Sequence, residues 1–69
     1  MSEHSYGVSE IVGSSTESMD DAIRNAVAKA TEDRRHLRWF QVTELRGHIK
    51  DGRIAHYQAW LKLGYTLEE

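Results

Sequence analysis

One tryptophan and one glutamine, Trp39 and Gln58, are the residues of this chain best suited to hold a flat aromatic molecule, and a second tryptophan, Trp60, is expected on the same face. Trp39, Gln58 and Trp60 lie in segments whose apolar residues alternate, as expected for strands that present one face. An indole offers a plane for stacking, and the Gln58 amide offers both a donor and an acceptor to a heterocycle edge such as a pyrimidine-dione. The competing interpretations are tryptophans that anchor a subunit interface and an ordinary exposed strand glutamine.

Residues for other kinds of chemistry are sparse or poorly spaced. The four histidines never fall at i, i+4 on the predicted helix, and the chain has no cysteine. The serines cluster in predicted turns, without an evident histidine and aspartate beside them. Neither a metal site nor a catalytic nucleophile is therefore predicted.

Length and charge narrow the class of protein further. A chain of 69 residues buries too little surface to be comfortably stable alone. Because it has no cysteine and so no disulfide, we expect association with other copies to supply the missing stability. A net charge of -2, with 29% charged residues of both signs, gives no basic field for nucleic acid. No apolar run is long enough for a signal peptide or a membrane span, and we expect a cytoplasmic protein.

The first half of the chain predicts a strand followed by a helix. The strand runs from Tyr6 to Val12, and Gly13 with two serines is expected to close it. Ser18 is the predicted N-cap of a helix of about 15 residues. Its apolar stripe comprises Met19, Ala22, Ile23, Ala26, Val27 and Ala30.

The second half predicts a long β-hairpin that turns at Asp51-Gly52, a pair typical of a two-residue type I′ loop. Counting outward from Lys50 opposite Arg53 pairs Leu45 with Gln58, Thr43 with Trp60, and Trp39 with Gly64. The result is one α+β domain over 1–69, with β-α-β-β order and three antiparallel strands, the third between the other two, packed on one helix that the hairpin overhangs. The predicted core face of the hairpin comprises Phe40, Val42, Tyr57, Ala59, Leu61, Leu63 and Tyr65.

The opposite face of the hairpin has no cover from its own chain. It is predicted to carry Trp39, Gln41, Thr43, Leu45, Gly47, His56, Gln58, Trp60, Lys62 and Gly64. Two indoles of about 150–250 Å² each approach the largest apolar patch that a soluble monomer usually exposes. Gly64 opposite Trp39 either leaves room for a planar ligand or lets the indole fold across the strand.

Several motifs together resemble bacterial dodecins. They are Leu37-Arg38-Trp39-Phe40-Gln41-Val42, Leu45-Arg46-Gly47-His48, Asp51-Gly52, His56-Tyr57-Gln58 and Leu63-Gly64-Tyr65-Thr66-Leu67-Glu68. Ile11-Val12-Gly13-Ser14-Ser15, followed by Asp21-Ala22-Ile23, is similar too. The resemblance covers nearly the whole chain, and the motifs are specific in combination.

This resemblance implies a hollow homododecamer that binds flavin, either FMN or riboflavin, in pairs near twofold axes. The family's stacking tryptophan falls on Trp39, its ligand-contacting arginine on Arg46, and the glutamine that hydrogen-bonds the pyrimidine edge on Gln58. The counted register places Arg46 on the face opposite Trp39. Strand twist or a bulge near Gly47, or contact of Arg46 with a flavin in a neighbouring subunit, would reconcile the two.

Three positions depart from the family pattern: Arg38, Thr66 and Trp60, whose side chain is bulkier than the pattern leads us to expect and would narrow the pocket or change its depth. One basic group also has two interpretations. Arg38 and Thr66 stand where bacterial members often have an acidic and a basic residue, and both are weaker candidate contacts for the flavin or its phosphate. Some members also bind coenzyme A near the end of the helix. The matching basic residues, Lys29, Arg34 and Arg35, also fit a solvated helix terminus.

The expected function is flavin storage and photoprotective quenching without catalysis. A structural oligomerisation module with no ligand is the alternative, because the tryptophan face also suits a subunit interface. A flavin-dependent enzyme is less favoured, because no acid, base or substrate pocket is evident in the sequence.

Overall fold

The computed structural model describes residues 5–67 and shows one helix against a three-stranded sheet. The elements are β1 (Tyr6–Ser15), α1 (Met19–Asp33), β2 (Leu37–Lys50) and β3 (Arg53–Thr66). The strand order is β1-β3-β2 and every neighbouring pair is antiparallel, which confirms the predicted topology. In the described part of the chain no helix is long and apolar enough to cross a membrane.

Helix α1 begins at the predicted cap. The Ser18 hydroxyl accepts a hydrogen bond of 3.0 Å from the backbone N–H of Asp21, satisfying a donor that the first turn leaves free. The helix has 15 residues, as expected, and ends where the Arg34 N–H donates to the Ala30 carbonyl. Ala22 and Ala26, in the predicted stripe, are fully buried against the sheet.

Strand β1 is longer than predicted and runs through Ser15. Gly13, Ser14 and Ser15 pair with Ala59, Gln58 and Tyr57, so the expected end at Val12 is wrong. A Cβ on Gly13 would overlap the Ala22 carbonyl and the Ala26 methyl group. Gly13 therefore brings the helix close to the strand rather than turning the chain.

The core lies where α1 crosses β1 and β3. Ala59, Leu61 and Leu63 of β3 are at most 2% exposed and pack on the helix alanines. Phe40 shares their side of the sheet but is 51% exposed, so its predicted place in the core is wrong. The helix packs on β1 and β3, which leaves the helix side of the outer strand β2 largely open.

The hairpin loop forms as expected. Asp51 and Gly52 have φ values of 54° and 76°, the left-handed conformation that both central residues of a type I′ turn need. The described chain is 57 Å in its longest dimension, whereas a 15-residue helix is about 22 Å long, so the strands extend well past the helix.

The register of the hairpin follows the prediction next to the loop and from Trp39 to Val42, and it differs between these parts and at Leu37, which pairs with Tyr65. Lys50 pairs with Arg53, and Trp39 pairs with Gly64, as predicted. A first irregularity between His48 and Ile49 shifts the pairing by one residue, and a second between Val42 and Glu44 restores it.

The shift changes which side chains share a face. Leu45 lies opposite Ala59 instead of Gln58, and Glu44 rather than Thr43 lies opposite Trp60. Counting did not reveal this because a bulge leaves the period of two intact on either side of it. Residues 44–48 of β2 therefore point to the face opposite the one predicted.

Candidate ligand-binding face

Helix α1 packs on one side of the sheet, over β1 and β3, and we call the other side the open face. Strand alternation and the observed register place three rows of side chains on it. They are Tyr6, Val8, Glu10, Val12 and Ser14 from β1; Trp39, Gln41, Glu44, Arg46 and His48 from β2; and His56, Gln58, Trp60, Lys62 and Gly64 from β3.

Trp39 lies across the strand beside it. A Cβ on Gly64 would overlap three atoms of the indole, so the ring rests directly on the Gly64 backbone and buries it. The Tyr6 ring meets the indole edge-on, with centroids 5.2 Å apart and planes at 71°. Glycine and tyrosine thus hold the indole in place, and Trp39 stays 44% exposed.

Arg46 lies on the open face, because the bulges turn it there. It pairs with Gln58, and its guanidinium carbon is 5.1 Å from the centre of the Trp60 ring. Its Nε also forms an ion pair of 3.2 Å with Glu44. The predicted conflict between the arginine and the register is thereby removed, and Arg46 and Gln58 come together.

Trp39 does not join them within one chain. Gln58 and Gly64 are six residues apart on β3, which at about 3.3 Å per residue is roughly 20 Å. Trp39 lies at the Gly64 end of that distance and Arg46 at the Gln58 end. The three predicted contacts therefore share a face but form two separate groups.

The two weaker candidates, Arg38 and Thr66, contact each other. The Arg38 Nε donates a hydrogen bond of 3.0 Å to the Thr66 hydroxyl. Thr66 pairs with Tyr6, which places both residues at the Trp39 end of the sheet. A substitution at either position would thus affect the surroundings of the indole.

The predicted basic group is only partly assembled. Arg34 and Arg35 line a shallow recess together with Tyr65, and the Arg34 guanidinium lies 3.9 Å from the centre of the Tyr65 ring. Lys29 does not line this recess and instead forms an exposed ion pair of 3.4 Å with Glu32.

Sequence reasoning missed three features of the open face. The contact of Tyr6 with Trp39 depends on the register between β1 and β3, which the hairpin loop does not set. Glu44 is two residues from Arg46, the spacing that places strand side chains on one side, and this signal was available. The pairing of His48 with His56 was hidden by the bulge.

The fold and this face define a class of protein: a small α+β subunit with one sheet side on its own helix and an aromatic, polar second side left open. The family model described as Dodecin matches residues 6–68. A curated dodecin from Thermus thermophilus is 44% identical over 64 residues, 93% of each chain.

Solved dodecin structures match over the full fold. One from Streptomyces coelicolor is 54% identical with a TM-score of 0.93, covering 100% of this chain and 99% of that one. Another, from Streptomyces davaonensis, is 47% identical with a TM-score of 0.94, covering 99% of this chain and 100% of that one. The chain belongs to the dodecin family, which confirms the resemblance drawn from its motifs.

Proposed function

We propose that this protein binds and sequesters a flavin, FMN or riboflavin, by stacking the isoalloxazine ring on Trp39. The observation that carries the proposal is the position of the Trp39 indole. The ring lies on the Gly64 backbone, contacts the Tyr6 ring edge-on and is still 44% exposed. A ring held in place before binding loses little conformational freedom when a ligand stacks on it.

The separation of the contacts makes the proposed site a composite of subunits. A distance of roughly 20 Å along β3 exceeds the length of an isoalloxazine ring system. A flavin stacked on Trp39 of one copy therefore receives Arg46 and Gln58 from another. This requirement, and the exposed apolar side chains on both sides of the sheet, support the homododecamer implied by the family.

Sequestration rather than catalysis is the proposed role, and we place it in the cytoplasm. Light excites the bound flavin, the electron-rich indole of Trp39 donates one electron to it, and the electron returns. The flavin regains its ground state without net chemistry, so quenching protects both the ligand and its surroundings. The protein is a carrier in this proposal and not an enzyme.

The recess at the end of the helix is a second, weaker proposal. Arg34 and Arg35 there offer guanidinium groups beside the Tyr65 ring, an arrangement that suits the phosphates and adenine of coenzyme A. Lys29 contributes only if it leaves Glu32.

Flavin fluorescence tests the main proposal. Titrating riboflavin with protein should quench its emission, and Trp39→Phe should weaken both binding and quenching, because phenylalanine is a smaller stacking partner and a poorer electron donor. Trp60→Phe is the matched control, since it removes the other indole of the same face but keeps a ring beneath Arg46. Full emission at saturating wild-type protein would overturn the proposal.

A structural oligomerisation module is the second candidate, favoured by Phe40, Leu45 and Ile49, which are each at least 50% exposed on β2. The purified protein distinguishes the two. A yellow assembly that releases flavin on denaturation supports binding, and a colourless assembly that takes up no added flavin supports the module.

A further inference from the structure

We propose that His48 and His56 form a two-histidine site for a divalent transition-metal ion such as Zn²⁺. The two residues lie directly opposite each other on β2 and β3, on the open face and near the hairpin loop. Both side chains are exposed, and their ring centroids are 6.1 Å apart. The inference does not rest on flavin binding, although Gln58, which lines the same recess, is also a proposed flavin contact.

The separation of the rings suits one shared ion. With a Zn–N bond of about 2.0–2.1 Å, an ion in the plane of an imidazole lies roughly 3 Å from the ring centre. Two rings on one tetrahedral ion therefore have centres about 5 Å apart. The observed pair needs to approach by about 1 Å, which rotation of two exposed side chains provides.

The surroundings leave room for the ion. His48 and His56 line a recess together with Ser14 and Gln58, two residues whose side chains contain oxygen atoms. Arg46, the nearest cation on this face of β2, turns its guanidinium towards Trp60 and Glu44 instead of the histidines. In the described chain neither imidazole takes part in a hydrogen bond that would occupy its nitrogens.

The donor set predicts the kind of ion and the strength of binding. Imidazole suits Zn²⁺, Cu²⁺ and Ni²⁺, whereas Mg²⁺ and Ca²⁺ prefer oxygen ligands. Within residues 5–67 no group of three or more His, Cys, Asp or Glu residues gathers as a metal site. Water therefore completes the coordination, and the affinity should be lower than that of a structural zinc site.

The bulge between His48 and Ile49 creates this pair. Without it, continuous counting from the loop would place His48 opposite Ala55, with the two imidazoles on opposite faces of the sheet. The shift also turns Arg46 to the open face, so one irregularity forms both groups.

Isothermal titration of the full-length, tag-free protein with ZnSO₄ tests the site, with MgCl₂ as the control ion. We expect one Zn²⁺ per subunit and no response to Mg²⁺. His48→Asn and His56→Asn should each lower the Zn²⁺ affinity by more than about tenfold, because a second imidazole on the same surface raises the effective ligand concentration. His4→Asn and His36→Asn, which alter the other two histidines, should change it by less than about twofold.

Two outcomes would overturn the proposal: no saturable Zn²⁺ binding, or equal binding by the two Asn variants of the pair and the wild type. Circular dichroism and gel filtration should show that the variants keep the wild-type fold and size. If they do not, NMR of the wild-type imidazoles replaces them, and Zn²⁺ should then shift the ring signals of His48 and His56 together. Shifts confined to His4 or His36 would refute the site.

Discussion

Replacing Gly64 by alanine tests the central feature of the open face, the indole that lies on bare backbone. The new methyl group would overlap three atoms of the Trp39 ring, so the ring must leave the strand. Gly64 does not have a positive φ, so alanine fits the backbone itself and the effect falls on the indole. The substitution therefore displaces Trp39 without removing it.

The expected magnitude follows from the burial of the ring. A fully buried tryptophan buries about 150–250 Å², and Trp39 is 44% exposed, so the Trp39 side chain buries roughly 100 Å² that displacement could expose. At about 25 cal/mol/Å², burial of this area stabilises the fold by about 2.5 kcal/mol. A displaced ring remains partly buried and therefore loses only part of this stabilisation. Alanine also restricts the unfolded chain, which stabilises by about 0.4–1 kcal/mol. We expect a net loss of about 1–2 kcal/mol per subunit.

Urea unfolding at a fixed subunit concentration measures the stability, because association shifts the apparent midpoint. The same samples report riboflavin quenching, which should weaken with the stacking surface. Gly7→Ala is the matched control, since the Tyr65 ring covers Gly7 on the other side of the sheet. It should lower stability similarly but leave quenching intact. Unchanged quenching in Gly64→Ala would refute the idea that the seated indole forms the site.

Three further substitutions test the helix and the charged group. Ser18→Ala removes the hydrogen bond from the Asp21 N–H and should lower the free energy of unfolding by about 1 kcal/mol, read from urea curves. Gly13→Ala, which forces the helix away from β1, should cost more than the cap substitution in the same assay, and a smaller loss would contradict the close packing. Glu44→Gln releases Arg46 from its ion pair and should strengthen binding of FMN more than of riboflavin, because only FMN carries a phosphate. Added salt should reduce this difference, and a salt-independent gain would argue against a charge effect.

The features that local patterns encode were predictable from the sequence. Ser18 marks the helix start through its capping hydroxyl, and Asp51-Gly52 marks the hairpin through the left-handed conformation that these residues tolerate. The strand order follows from the hairpin and one apolar helix stripe. Gly13 was misjudged because its role depends on how closely the helix approaches, which is a tertiary property.

The middle of the hairpin was not predictable in this way. Nothing in the local pattern distinguishes a strand with two compensating bulges from a regular one, because each bulge shifts the faces and the alternation continues. Arg46 nonetheless gave a usable signal, since the resemblance to dodecins implies that it contacts the ligand while the counted register places it on the other face. The bulges remove that contradiction. The six-residue separation of Gln58 from Gly64 then determines which side chains one ligand can contact within a single chain. If Trp39 stacks on the flavin and Arg46 and Gln58 bind its edge, as proposed, one flavin can reach all three only by combining copies, so oligomerisation would be part of the binding site and not merely a source of stability.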